Sequence, residues 1–149
     1  MKLVVQIAKD ASCIIDNKTV GHIDYGYMVL VGITHEDTKE IVDKMADKFL
    51  KLRIFKDEND KTNLSLADVK GSVLSISQFT LYADCNKGNR PSFTDSAKRE
   101  LATELYDYFN KVIEEKGYHV ETGIFGADMQ IKFTNDGPFT IILDSKELF

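Results

Sequence analysis

The sequence predicts an α/β chain of the α+β type, in which mixed, largely antiparallel strands carry two long amphipathic helices. Three observations lead there. Short β-branched runs alternate with turn residues through the first third, two later windows carry apolar residues at helical spacing, and no glycine-rich phosphate loop follows any strand. The order that results is strands, helix, strand, helix, strands, without the regular alternation of a doubly wound nucleotide fold.

From the N-terminus, LVVQIA (Leu3 to Ala8) and SCIID (Ser12 to Asp16) read as short strands and Asp16-Asn17-Lys18 as a turn. TVGHI and GYMVLVGI, which ends at Ile33, complete a meander. From about Asp37 to Leu52 the period changes. Ile41, Val42, Met45, Ala46, Phe49 and Leu52 make one apolar stripe between charges, the mark of a helix lying on a sheet. Lys56 to Asn63 is a polar loop. Ser72 to Ala83 is apolar enough on both faces to predict a central strand. A second helix is expected from an N-cap at Asp95 to just before Gly117, burying Leu101, Leu105, Tyr108, Phe109, Val112 and Ile113. Ala127 to Asp144 reads as two strands joined by a tight turn. With no repeat and no linker, residues 1–149 form one domain.

At 149 residues, 43% hydrophobic and 29% charged, the chain can bury one ordinary core. No apolar run approaches the roughly 18 to 20 residues of a bilayer crossing, and the opening residues are too short and too soon charged for a secretory leader. A soluble, cytoplasmic protein with no membrane partner is expected. Cys13 and Cys85 lack CxxC spacing and read as reduced thiols, while His22, His35 and His119 each lack a second ligand at metal-site spacing. No metal and no cofactor are expected. The net charge of -5 argues against the broad basic face of a nonspecific nucleic-acid binder, so DNA is not an expected partner. Lys87 and Arg90, followed by Lys98 and Arg99, leave room for a local basic patch or simply a solvated loop.

Reactive constellations are scarce. No GxSxG elbow surrounds Ser75 or Ser77, and Asp84, Asp95, Asp128 and Asp144 fall at strand ends and turns, where aspartate caps and turns chains. Two segments are locally odd instead. In Ser77-Gln78-Phe79-Thr80, polar residues interrupt an apolar strand. Gln78 is either a satisfied core amide or the lining of a pocket, since burying it unpaired costs about 1 to 3 kcal/mol. Gly137-Pro138 interrupts the last strand signal. It either turns a hairpin into an edge strand or presents bare backbone to a ligand.

SQFTLYAD (Ser77 to Asp84), KGNRPSFTD (Lys87 to Asp95), ETGIFGADMQ (Glu121 to Gln130) and NDGPFTIILDS (Asn135 to Ser145) together closely resemble the D-aminoacyl-tRNA deacylase family, also called D-tyrosyl-tRNA deacylases. The resemblance runs over essentially the whole chain. It implies a barrel-like core and a homodimeric editing enzyme that hydrolyses D-aminoacyl-tRNA, and glycyl-tRNA mischarged on tRNA for alanine, at the acceptor end. In that family the Gly-Pro is cis and enters the other subunit's active site, so Gly137 and Pro138 would sense the configuration at Cα through rigid carbonyls. Ser77, Gln78, Phe79 and Thr80 would surround the acyl ester, with Met129 lining the pocket and Lys87 and Arg90 near the tRNA. Two routes compete, a Thr80 nucleophile or activation of water by the terminal 2′-hydroxyl. The second is favoured because no residue near Thr80 in sequence is an evident base to activate its hydroxyl. One departure stands out: the family's usual arginine after the first-strand glutamine, which helps hold the Gly-Pro carbonyls, is Ile7 here. A noncatalytic nucleic-acid-binding dimer and a serine or threonine hydrolase of small esters are the rival readings.

Overall fold

The β-branched residues of the first third are carried further than the local turn signals suggest. In the computed structural model, which describes residues 1–149, they form only two strands, β1 (Lys2–Ile15) and β2 (Lys18–Gly32), joined by a turn in which Asp16 and Asn17 take positive φ. Thr38 then caps α1 (Lys39–Leu50), its hydroxyl accepting from Ile41 N–H at 3.3 Å. The polar loop is the tip of a small hairpin, β3 (Arg53–Lys56) and β4 (Thr62–Ser65). After it come β5 (Ser72–Ser77), a 3-10 turn (Phe79–Tyr82), α2 (Arg99–Glu115), β6 (Val120–Thr122), β7 (Gln130–Asp144) and a last helical turn, α3 (Ser145–Leu148).

The main sheet runs in the order β6-β5-β2-β1-β7, antiparallel across β2, β1 and β7 and parallel across β2, β5 and β6. It stays open, which corrects the barrel-like core implied by the resemblance. Closure would need β6 to pair with β7, and β6 is only three residues long. Both helices cover one face. Alternation along each strand sends Val73 and Tyr27 to the helix side and Leu74 and Met28 to the other. On the helix side Tyr27, Phe49 and Phe109 pack ring against ring, with centroids 5.1 and 5.7 Å apart. On the far side a smaller cluster around Cys13, Leu74 and Ile76 receives Met129 and Ile131.

Three further expectations are corrected. Helix α2 does not start at Asp95. The Asp95 carbonyl accepts from Thr34 Oγ1 at 2.6 Å and Ala97 N–H donates to Ile33 O at 2.9 Å, so residues 95 to 97 are held against the end of β2 and the helix waits until Arg99. The strand expected to reach Ala83 stops at Ser77. The two strands expected between Ala127 and Asp144 are one, because both halves of β7 pair with the same partner, β1.

Burial holds the phenols of Tyr27 and Tyr82 neutral well above their ordinary pKa of 10.0, and neither oxygen has a hydrogen-bond partner. In the unfolded chain these groups ionise near that value, so their contribution is intact below it and is lost as pH rises past it. A urea-denaturation series is expected to give a steady midpoint up to about pH 10 and a falling one above. A midpoint that stays level to about pH 12 would contradict this.

Candidate active site

The β5 strand ends where its neighbour runs out. Gln78 N–H makes a last ladder-like bond to Val31 O at 2.8 Å, and the backbone then curls, Leu81 N–H donating to Gln78 O at 3.3 Å and Ala83 N–H to Thr80 O at 3.0 Å. Gly32 permits the curl to lie on β2, since a Cβ there would come within 2.9 Å of Leu81 Cβ. Ser96, buried on the loop before α2, donates its hydroxyl to Phe79 O at 2.8 Å and pins the turn from the other side. The N–H groups of Phe79 and Thr80 precede Leu81, the first donor to close the turn, and have no acceptor within it.

This turn forms one wall of a cavity of about 290 Å³. Val31 near the end of β2 and Ile33 just past it, Ile76 and Ser77 from β5, Ala102 and Tyr106 from α2, the 125–129 segment and Ile131 of β7 supply the others. Four of the sequence-predicted residues therefore meet here: Ser77, Gln78, Phe79 and Met129. Thr80 lies just outside the lining and is tied to it by Gln78 Nε2, which donates to Thr80 Oγ1 at 2.6 Å. Gln78 is thus the lining of a pocket rather than a core amide. No carboxylate or imidazole bonds to the Thr80 hydroxyl. Phe79 is 55% exposed and meets the exposed Phe93 edge-on, with ring centroids 5.0 Å apart.

Sequence reasoning missed several lining residues. Tyr106 sits in helical register with the core, and nothing in the sequence marks its hydroxyl, which donates to Ser75 O at 2.7 Å. Burial raises its pKa, so it faces the cavity as a neutral group. Phe125 and Ala127 line the cavity too, as does Asp128, its sole carboxylate. Arg99 lies over the Phe125 ring at 5.9 Å and places a cation at the rim. Lys87 and Arg90 lie in an exposed loop closed by the Asp84–Ser92 bridge and are not among the lining residues. No group of three or more His, Cys, Asp or Glu side chains is placed to hold a metal ion. The one Ser-His-Asp string, in which Ser12 Oγ lies 2.9 Å from His22 Nδ1 and His22 Nε2 lies 3.1 Å from Asp24 Oδ1, crosses the β1–β2 hairpin and lines no part of the cavity.

Gly137 and Pro138 are joined by a cis peptide and are also absent from this cavity's walls. They belong to a wide bulge in β7. Ala8 pairs with Asn135 and Gln6 with Thr140, so one β1 residue, Ile7, stands opposite four β7 residues, Asp136 to Phe139. Gly137 and Pro138 are exposed at its tip.

With this geometry in hand, comparison with known proteins is direct. The model of the D-Tyr-tRNA(Tyr) deacylase family matches residues 4–144. A Bacillus pumilus protein named D-aminoacyl-tRNA deacylase is 59% identical over 147 residues, covering 99% of this chain and 100% of the relative. Among solved structures, a c-Myc DNA unwinding element binding protein is similar with a TM-score of 0.91 at 38% identity, over 97% of this chain and 98% of that one. A probable eukaryotic D-amino acid tRNA deacylase shares the fold, with a TM-score of 0.82 at 19% identity over 95% of this chain and 97% of its own. The SQFT turn, the cavity it walls and the Gly-Pro bulge thus stand in a chain that belongs, over nearly its whole length, to the D-aminoacyl-tRNA deacylase family of enzymes.

Proposed function

We propose that the protein hydrolyses the ester joining a D-amino acid to the terminal adenosine of tRNA, as a homodimer in which each Gly137-Pro138 bulge closes the cavity of the partner. One observation carries the cross-subunit part. Ile131, on the same strand as the bulge, lines the cavity, and β7 runs on from it paired to β1. Gly137 and Pro138, six residues further along and exposed at the tip of the bulge, are absent from the walls of that same cavity, so the chain does not fill its own site with them. Ile142, 69% exposed on the same edge strand, adds apolar surface suited to association.

In the chemical step water adds to the ester carbonyl and the charge that builds on its oxygen meets the N–H groups of Phe79 and Thr80. Removal of one such donor in other hydrolases costs about 3 to 4 kcal/mol. The tetrahedral centre then collapses, the bond to the ribose oxygen breaks, and that oxygen takes up a proton. Thr80 Oγ1, which accepts from the Gln78 amide and has no base beside it, is poorly set up as a nucleophile. Activation of water by the neighbouring ribose hydroxyl fits better.

Fixed main-chain carbonyls from the partner would exclude a side chain projecting from an L-configured Cα, whatever its identity, and leave D-residues room to project elsewhere. Glycine has no Cβ to exclude, so glycyl-tRNA mischarged on tRNA for alanine belongs among the substrates. Arg99 at the rim, with Lys87 and Arg90, would meet phosphates of the acceptor end. The name of the 38% identical structure favours a second reading, a DNA-binding dimer. The acidic net charge weighs against it.

Incubation with D-Tyr-tRNA and L-Tyr-tRNA tests the proposal. Release of tyrosine from the D-substrate only is expected, and equal release or none would overturn it. Thr80→Ala is expected to keep activity within about tenfold of the parent, whereas a loss near a millionfold would restore the acyl-enzyme route.

A further inference from the structure

The bulge of four residues leaves a donor without its ladder partner. Phe139 N–H no longer faces β1, and it donates instead to Asn135 Oδ1 at 2.8 Å. The same amide's Nδ2 donates to Thr140 Oγ1 at 3.2 Å, and Gln6 Nε2 donates to that oxygen at 3.2 Å from the neighbouring strand. One side chain thus spans the excursion from its first paired residue to its last, and a second ties the far end to β1. Ile7, the single residue opposite the bulge, is 5% exposed and packed into the core, and it offers no donor. Lys9 reaches Asp136 at 3.4 Å, but both partners are about half exposed and the pair constrains little.

We infer that Asn135, acting with Thr140 and Gln6, is a positioning residue that sets where the Gly137 and Pro138 carbonyls point, and so sets how strictly L-residues are refused. The clamp is local to β7. Its amide acts as acceptor and donor at once, and serine or alanine at 135 would reach neither end of the bulge. This inference rests on the reading that the bulge closes the partner's cavity, and the variants below separate the two.

The measurement is the ratio of D-Tyr-tRNA to L-Tyr-tRNA hydrolysis, each as kcat/KM, beside the thermal midpoint. Asn135→Ala is expected to lower the ratio by about tenfold or more, by letting the carbonyls move so that the L-substrate is admitted. Asn135→Asp, which still accepts from Phe139 N–H, is expected to keep most of the ratio. Thr140→Val, which keeps the side-chain shape but removes the shared oxygen, is expected to lower it. A fall in midpoint with an unchanged ratio in Asn135→Ala and Thr140→Val would overturn the inference, reducing the clamp to a structural contact. If Asn135→Ala does not fold, the contrast between Asn135→Asp and Thr140→Val decides in the same way. Should Pro138→Ala also leave the ratio untouched, the cross-subunit filter itself falls. A ratio sensitive to Pro138→Ala but not to the clamp variants would sink only the inference.

Discussion

Replacing Gly137 by alanine is expected to reduce D-Tyr-tRNA hydrolysis by about a hundredfold and to erode the preference for D over L, with only a modest fall in the thermal midpoint. Gly137 has φ of +138°, a conformation L side chains rarely adopt. A Cβ there would stand 3.1 Å from Phe139 N and 3.4 Å from Phe139 Cβ. Phe139 N is the donor that Asn135 holds at 2.8 Å, so relief of the contact moves the group that orients the bulge. The cost in stability is confined to the strain of that backbone conformation, about 1 to 3 kcal/mol, because the tip is exposed and contributes little buried surface. Mixed dimers sharpen the test. A Gly137→Ala protomer keeps a sound cavity, and a protomer disabled in the Gln78-to-Thr80 turn keeps a sound bulge. Co-expressed, they are expected to regain partial activity under the proposed cross-subunit arrangement, in which one cavity of each mixed pair would receive an intact Gly-Pro. No recovery would place the bulge in its own protomer's chemistry.

Gly26→Ala is expected to cost more than about 4 kcal/mol, close to the whole stability of many domains of this size, and to abolish activity with the fold. Gly26 has φ of +147° and pairs in parallel register with Ser72. An added Cβ would overlap the Ser72 carbonyl oxygen and lie 2.6 and 2.8 Å from Ser72 N and C. These are backbone atoms of a central ladder and cannot swing aside as a side-chain tip can. Opening the β2–β5 pair at its start also displaces its end, where Val31 O receives Gln78 N–H and the 3-10 turn begins. Chemical denaturation gives the check. A variant within about 1 kcal/mol of the parent would mean that the strands separate at far lower cost than their packing implies.

The elements legible in the sequence were those whose side chains all answer to one nearby surface. Helix α1 shows its buried stripe in Val42, Met45, Ala46 and Phe49, and α2 shows it in Leu105, Phe109, Val112 and Ile113. Both stripes are set by a local period of 3.6 residues. The SQFT and NDGP segments were legible as oddities because polar or chain-breaking residues inside strand-like runs need a compensating partner. What no local rule could supply was the identity of that partner. The strand from Ser72 ends at Ser77 because Gly32 and Ser96, 64 residues apart in number, hold the turn from two sides. The segment from Gln130 to Asp144 stays one strand through a proline because β1 is long enough to pair with it before and after the bulge. Helix α2 starts late because Thr34 and Ile33 claim the backbone of Asp95 and Ala97.

By itself, then, the sequence determined the two helices, the family and the segments where chemistry gathers, since these depend on side-chain periodicity and on residue types in order. Tertiary structure alone decided that the sheet stays open, that Tyr106 and Asp128 face the cavity, and that Asn135 bridges the Gly-Pro bulge. Each of these depends on which residues, far apart along the chain or on either side of an interruption, come within reach of one another, and such partners are chosen by the geometry of the whole sheet.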